Sequence, residues 1–330
     1  MGRWTGRVRR TALAAIVTGA LVVPLSAAAH PVIPAPPPAR LGTVTAASLD
    51  AAYAANRATA ERAAGMAADH GDTARARELR DMASGGRTFL TLDPRGQGRA
   101  AEVFGDLAHA DRIAVLVPGS DTSLDTYDRF RAGALALREK LDGRTAVVAW
   151  LGYETPGTVS PAVATTGRAE SAAPELVAFV RQLRTIAAVP AGAPGGPHVS
   201  VSLVCHSYGT VVCASAAPGL TGTAAVSDLA LVGSPGTGAG SVADLRTGAT
   251  VWAGRGADDW IADVPHTKAD VFGTTVGFGT DPVAAAFGAH VFAAGDGGHS
   301  DYFRPGSPSL DNLARIVLGR SADITETTHG

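Results

Sequence analysis

The stretch Val199-Ser200-Val201-Ser202-Leu203-Val204-Cys205-His206-Ser207-Tyr208-Gly209 decides the fold. Its first six residues read as a buried β-strand. That strand runs without a spacer into a small-x-Ser-x-Gly sequence, and residues 211–217 then read as a helix. A serine at such a strand-to-helix turn projects its Oγ above the sheet, where it can act as a nucleophile. Small neighbours at Cys205 and Gly209 suit the close passage of strand and helix. Tyr208 follows the serine, and its backbone N–H, at the helix N-terminus, is suited to hold the oxyanion of a tetrahedral intermediate. Ser-x-Gly alone is common in turns whose serine only caps a helix. The strand before it, the helix after it and the residues downstream favour a nucleophile at Ser207.

Outward from this segment, short apolar runs alternate with helical stretches. Residues 88–92, 113–117, 146–150, 199–204, 229–232, 250–253 and 290–293 are expected strands. Most are apolar almost throughout, as strands buried on both faces of a parallel sheet are. Residues 125–141, 172–187, 208–217 and 310–318 are expected helices. The alternation predicts a mostly parallel, doubly wound α/β sheet. Sites in such sheets lie outside the C-terminal strand ends.

A serine on this kind of turn works with an acid and then a histidine later in the chain. The loop after strand 249–254 carries Asp258 and Asp259. Asp259 is preferred as the acid that orients the imidazole, because Trp260-Ile261 resembles the pair usually found after it. Asp258 is the alternative. His299 lies in Gly295-Asp296-Gly297-Gly298-His299-Ser300, between the last expected strand and the final helix, and is the expected general base. His290 falls within a strand, His266 among proline and charges, and His206 at the variable position of the turn. The second oxyanion donor is expected from Pro118-Gly119-Ser120-Asp121, where Gly119 lets the backbone approach and the Ser120 N–H donates. An ordinary glycine turn would read the same way. His and Cys lack metal-ligand spacing, and Gly233-Ser234-Pro235-Gly236 lacks a P-loop lysine. Neither a metal nor a cofactor is expected.

The 330 residues suffice for one large domain with a full core. With 46% hydrophobic and 18% charged residues, the chain reads as a loop-rich globular enzyme. A formal charge of −2 shows no basic surplus and argues against nucleic acid as a partner. Arg3, Arg7, Arg9 and Arg10 precede an apolar stretch over 12–23, Pro24 and Ala27-Ala28-Ala29, the pattern of a cleaved signal peptide over residues 1–29. A retained anchor would need about 20 apolar residues, and this stretch is shorter and broken by Pro24. No membrane span is expected after cleavage, and the destination is secreted or cell-envelope. The Arg9-Arg10 pair leaves the export route, general or twin-arginine, open. Residues 30–45 form a Pro-rich linker, whose 30–40 part is expected to stay extended and outside the core. Residues 46–86 form a helical N-terminal extension of two helices, the second capped by Asp72, that packs on the main domain or stays a dynamic arm. The catalytic domain spans 87–320, and 321–330 is a C-terminal tail.

Over residues 88–320 the sequence resembles an actinobacterial α/β-hydrolase family first known only as a domain of unknown function. The likeness rests on Leu92-Asp93-Pro94-Arg95-Gly96, Val115-Leu116-Val117-Pro118-Gly119, Ala149-Trp150-Leu151-Gly152-Tyr153, His206-Ser207-Tyr208-Gly209, Trp252-Ala253-Gly254 with Asp258-Asp259, and Gly298-His299-Ser300-Asp301-Tyr302-Phe303. The resemblance implies the α/β-hydrolase fold and the Ser-Asp-His roles of Ser207, Asp259 and His299. Cys205 stands where a glycine is common, and it is small enough for the turn.

Export bears on the two cysteines, since a disulfide persists outside the cell. Cys205 ends the strand entering the turn and Cys213 lies on the helix leaving it. The two elements run antiparallel and close, so a Cys205–Cys213 bridge is expected, against a reduced, buried pair. Only residues 233–249 separate the strand ending at Val232 from that starting at Thr250, too few for a large cap domain. The site is expected to be open, or covered by residues 153–171 or the N-terminal helices. An open site on an exported protein fits a small-molecule or lipid ester, and a carboxylic-ester hydrolase is the expected function. A peptidase or amidase with the same residues, or a catalytically silent envelope-binding protein, are the alternatives. No oligomeric state follows from the sequence.

Overall fold

Eight strands form one sheet among the residues that the computed structural model describes, which are 33–187, 199–264, 269–271 and 274–327. In chain order they are β1 (Phe89–Asp93), β2 (Arg99–Phe104), β3 (Arg112–Val117), β4 (Thr145–Leu151), β5 (Ser200–His206), β6 (Asp228–Val232) and β7 (Thr250–Gly254), with β8 (Ala269–Val271) and β9 (Thr274–Val276) in a separate antiparallel ribbon before β10 (His290–Val291). The order across the sheet is β1-β2-β4-β3-β5-β6-β7-β10. β1 and β2 run antiparallel to their neighbours, and every pairing from β4 to β10 is parallel. This is the α/β-hydrolase arrangement. Contacts divide the chain into Met1–Ile33 and Pro34–Gly330, and all regular elements of the described residues lie in the second unit. The expected signal peptide over 1–29 lies outside the described residues. Among these residues no helix is long and apolar enough to cross a membrane.

Central strands are apolar on both sides because helices cover both faces. The helices are α1 (Leu49–Asp69), α2 (Thr73–Ala83), α3 (Tyr127–Glu139), α4 (Gly167–Ile186), α5 (Tyr208–Ala216) and α6 (Pro308–Val317). Ile113, Val115 and Val117 of β3 and Val201 and Leu203 of β5 join one core with Leu176, Val180 and Leu183 of α4 and Val211 and Val212 of α5. The alternate residues, such as Ala114, Leu116 and Val204, are equally buried on the other face, where α3 and α6 pack. β3 lies between β4 and β5, so successive crossovers leave it in opposite directions. The loops after β3 and β5 therefore meet at a topological switch point.

The N-terminal helices cover the sheet's open edge. Asp72 caps α2 by accepting the Arg75 N–H at 2.9 Å, and Leu49 and Ala52 of α1 enter the main core. Edge strand β1 has a register shift between Phe89 and Thr91, and buried Asn56 of α1 meets it there. The Asn56 amide donates to the carbonyls of Phe89 and Leu90 at 2.9 and 3.0 Å and to that of Ala52 at 3.1 Å. One side chain thus satisfies the acceptors that the irregular edge turns away from its ladder.

Three features differ from the sequence expectation. β2 escapes a hydrophobicity reading because it carries Glu102, which is 1% exposed and held by Arg87 and Arg131 at 2.9 and 3.1 Å. Pro36, in the stretch expected to stay outside the core, is buried. Residues 325–327, placed in a tail, hydrogen-bond along the β10 edge through Thr325 O and Thr327 N. As expected, only a short turn of 3-10 helix intervenes between β6 and β7.

Asn56→Ala is expected to destabilise the protein by about 1–3 kcal/mol, because buried carbonyls lose their donor. The midpoint of urea unfolding measures it, and a change within error would show that water replaces the amide.

Candidate active site

The geometry begins with the backbone at Ser207. Its φ of 55° and ψ of −128° lie where L-residues are rarely found, at the junction of β5 and α5. The turn is held by the Ser207 N–H bonded to Val232 O at 3.0 Å. It is also crowded: a Cβ at Gly209 would lie 2.5 Å from Val117 O, and one at Gly119 would lie 2.6 Å from Ser207 Cβ. Only glycine lets the loop after β3 approach the serine this closely.

Asp259 follows β7 on a short loop and caps the single turn Trp260–Asp263 by accepting the Ile261 N–H at 2.9 Å. His299 sits on the loop between β10 and α6. Its Nδ1 lies 2.9 and 3.0 Å from the two Asp259 oxygens, and its Nε2 lies 2.8 Å from Ser207 Oγ. The three side chains expected to act together do meet, in that order. Asp258 points elsewhere and is exposed, whereas Asp259 is 2% exposed. Burial alone would raise the Asp259 pKa. Hydrogen bonds from His299, Tyr302 and the Ile261 N–H outweigh it and hold the carboxyl below its usual range.

Two residues in this cluster were not picked out from the sequence. Tyr302 donates its hydroxyl proton to Asp259 Oδ2 and accepts the Gly256 N–H at 3.1 Å. His206 Nε2 lies 2.7 Å from the His299 carbonyl and donates to it, and its ring lies 4.8 Å from that of His299. Burial, then the charge of neighbouring His299, pushes the His206 imidazole down to about 4. The ring of Trp260, 4.7 Å from His299, covers the imidazole from outside.

Ser120 and Tyr208 both line the cleft above Ser207, and among the described residues neither backbone N–H has a protein acceptor. The loop carrying Ser120 is tied to the loop after β4. Tyr153 donates to Pro118 O at 2.7 Å, Thr155 Oγ1 donates to Thr122 O at 2.8 Å, and Asp121 accepts the Thr158 N–H at 3.1 Å. The cleft is about 1400 Å³, and its walls include Phe130, Val163, Ile261, Val264, Phe278 and Phe303. Its cover therefore comes partly from the 153–171 segment, as expected, through Thr158, Val163 and Ala164, and partly from residues 260, 261, 264, 277 and 278, which the sequence does not single out as a cover. The N-terminal helices do not line it. Glu78, Asp81 and Asp128, the last of which lines the cleft, bring ligand atoms within 4.8 Å of one another, but Asp81 pairs with Arg87.

Cys205 and Cys213 form a disulfide with Cα atoms 6.5 Å apart. It spans the turn, and both residues are fully buried.

Residues 93–269, more than half of the chain, match the family described as alpha/beta hydrolase. The chain belongs to that family. This chain is 30% identical to the uncharacterized protein Rv2079 of Mycobacterium tuberculosis over 258 residues, 68% of its own length but 37% of the relative's. It is also 30% identical to the uncharacterized protein Rv0963c over 188 residues, covering 51% of this chain and 66% of that one. The chain thus spans about a third to two thirds of the length of these curated relatives. Among solved structures, XC6422 from Xanthomonas campestris, an α/β serine hydrolase without a lid, shares 18% identity over 72% of this chain and 95% of its own, with a TM-score of 0.43. Esterase PE8 shares 16% identity over 67% of this chain and 98% of its own, with a TM-score of 0.42.

His206 carries a stability consequence. Its unfolded pKa is about 6.5 and its folded value about 4, so the unfolded chain binds a proton that the folded site refuses. The contribution is complete above about pH 6.5 and is lost as pH falls towards 4. Melting curves of His206→Gln, which keeps a donor but cannot titrate there, are expected to show a smaller fall in Tm from pH 7 to 4 than wild type. Parallel curves would remove His206 as a cause. The disulfide closes a short loop, so replacing both cysteines by alanine is expected to cost about 2–3 kcal/mol in urea unfolding. An unchanged midpoint would count against that stabilisation.

Proposed function

We propose that this protein is an exported serine hydrolase that cleaves carboxylic esters through an acyl-enzyme on Ser207. The observation that carries the reading is the position of His299, which reaches Ser207 Oγ with one ring nitrogen and Asp259 with the other. A strained backbone conformation at the serine itself is also hard to account for in a binding protein, since strain of this kind costs about 1–3 kcal/mol without a functional return.

In the proposed reaction, Ser207 Oγ attacks the ester carbonyl carbon while His299 Nε2 takes its proton. The tetrahedral oxyanion is held by the backbone N–H groups of Tyr208 and Ser120. Asp259 keeps the Nδ1 proton of His299 in place and stabilises the imidazolium. That imidazolium then protonates the leaving alcohol, the carbonyl re-forms, and the acyl group remains on Ser207. Water, deprotonated by His299 in its turn, attacks the acyl carbon and frees the carboxylic acid and the serine.

Esters with an apolar acyl group fit the walls formed by Phe130, Val163, Phe278 and Phe303. Export is supported by the N-terminal sequence pattern and by the buried disulfide, which belongs to an oxidising compartment.

Ser207→Ala is expected to abolish labelling by a fluorophosphonate probe and to lower esterase turnover roughly 10⁶-fold without unfolding the protein. Asp259→Asn is expected to lower it roughly 10⁴-fold, and Asp258→Asn far less. Residual Ser207→Ala activity within tenfold of wild type would overturn the assignment. Turnover of peptides but not of aryl or lipid esters would replace the ester reading with a peptidase.

A further inference from the structure

The side chains around Asp259 outnumber what a Ser-His-Asp arrangement requires. Oδ1 takes the Ile261 N–H at 2.9 Å and faces His299 Nδ1 at 2.9 Å; Oδ2 faces the same nitrogen at 3.0 Å and also takes the Tyr302 hydroxyl. The phenol is directed by a second bond. Because the Gly256 N–H donates to Tyr302 Oη at 3.1 Å, the hydroxyl's own proton is left for the carboxylate. Room for the ring is made at the end of β6, where Gly233 has a φ of 57° and a Cβ would lie 2.8 Å from the Tyr302 ring and 3.1 Å from Asp259 Oδ2. Tyr302 is 3% exposed and Asp259 is 2% exposed, so water does not dilute the contact.

We propose that Tyr302 is a positioning residue for the Asp259–His299 pair, whose hydroxyl withdraws charge from Asp259 and so sets the pH at which His299 becomes a base. This rests on the reading of Ser207, His299 and Asp259 as nucleophile, base and acid. The physical argument is a division of charge. A carboxylate shares its negative charge among its donors, and each donor that takes a share leaves less to stabilise the imidazolium beside it. In a buried site that share is large, because the effective dielectric constant is low. Tyr302 can serve as a constant donor because burial, and then its bond to Asp259, push its phenol far above the usual range.

Other groups facing the pair do not substitute for this one. From the end of β5 and the turn after it come His206 and Ser207; His206, whose imidazole is pushed down to about 4, bonds to the His299 backbone rather than to Asp259. Trp260 offers His299 only a ring face, and Asp258 is exposed. On the His299 loop, Asp301 is engaged by the Gly298 N–H at 2.9 Å. Arg255 acts on Tyr302 through its charge and is paired with Asp281.

The test is the pH dependence of kcat/KM for an aryl ester, measured on the mature protein in three forms. They are wild type, Tyr302→Phe, and a variant with 3-fluorotyrosine at position 302, which has the same shape with a more acidic phenol. Without the hydroxyl, more charge faces His299, the imidazolium is held more firmly, and the acidic limb is expected to move up by roughly 0.5–1 pH unit. The fluorinated ring, a stronger donor, is expected to move it down. A purely structural role would lower the plateau in Tyr302→Phe and leave the limb in place. Should Tyr302→Phe fail to fold, the fluorinated variant decides alone. A limb unmoved in the fluorinated variant overturns the proposal while an inactive Ser207→Ala keeps the triad reading. An active Ser207→Ala overturns both.

Discussion

A strained residue has to be held by neighbours that cannot move, and the backbone of Ser207 makes that demand on everything around it. A φ of 55° with a ψ of −128° is worth about 1–3 kcal/mol against the turn. Three independent restraints oppose its relaxation. The Ser207 N–H is bonded to the end of β6, glycines at 119 and 209 bring neighbouring backbone into contact, and a disulfide joins the strand before the turn to the helix after it. Parallel pairing of β5 with β3 and β6 supplies the frame for all three. The conformation that exposes Oγ is therefore a property of the whole sheet centre and not of the five residues of the turn.

The same economy governs the buried carboxylate. Taking Asp259 out of water raises the free energy of its charged form, and only specific donors can offset that. It has them from three directions: its own loop, the imidazole of His299 and the phenol of Tyr302. Each donor is fixed in turn. The His299 carbonyl is held by His206, and Tyr302 is held by the Gly256 amide. Such a closed set orients the ring nitrogens without relying on the mobility of surface side chains, and it leaves Nε2 as the nitrogen facing the serine.

How much of this is legible in the sequence depends on the range of the interactions involved. The strand at 199–204, the turn and the helix after it are local, and a continuous apolar run followed by a serine between small residues announces them. The acid and the histidine are legible as to loop, because chain order and strand ends restrict them. Choosing Asp259 over Asp258 is a matter of which way one side chain points, and the neighbouring Trp260-Ile261 was the only local clue. His206 acts across a separation of 93 residues and Tyr302 across separations of 43 and 46, and the short motifs that contain them do not show those partners. β2 was missed for the opposite reason: its Glu102 is polar in sequence but neutralised in the core by Arg87 and Arg131, so a hydrophobicity reading sees a break where there is a strand. The disulfide was legible because both cysteines flank one motif and nothing else in the chain competes for them.

The frame around the cleft shows where selectivity for a substrate can reside in a fold with no large cap. One wall is fixed: Tyr153 and Thr155 bind the backbone of the loop after β3, and the Thr158 N–H binds the Asp121 carboxylate of that loop, which also carries the Ser120 N–H. Moving that wall would move the proposed oxyanion donor with it, so in the proposed reaction changes there would alter the chemical step together with binding. Another wall, with Val264 and Phe278, follows β7 and, among the described residues, meets the Ser207–His299–Asp259 cluster through Gly256 and residues 259–261. Substitutions beyond those residues can reshape the apolar surface while leaving the hydrogen bonds of Asp259 intact. Within this architecture, the substrate selectivity of the proposed hydrolase is separable from its chemistry at Val264 and Phe278 and coupled to it on the side of Thr158 and Val163.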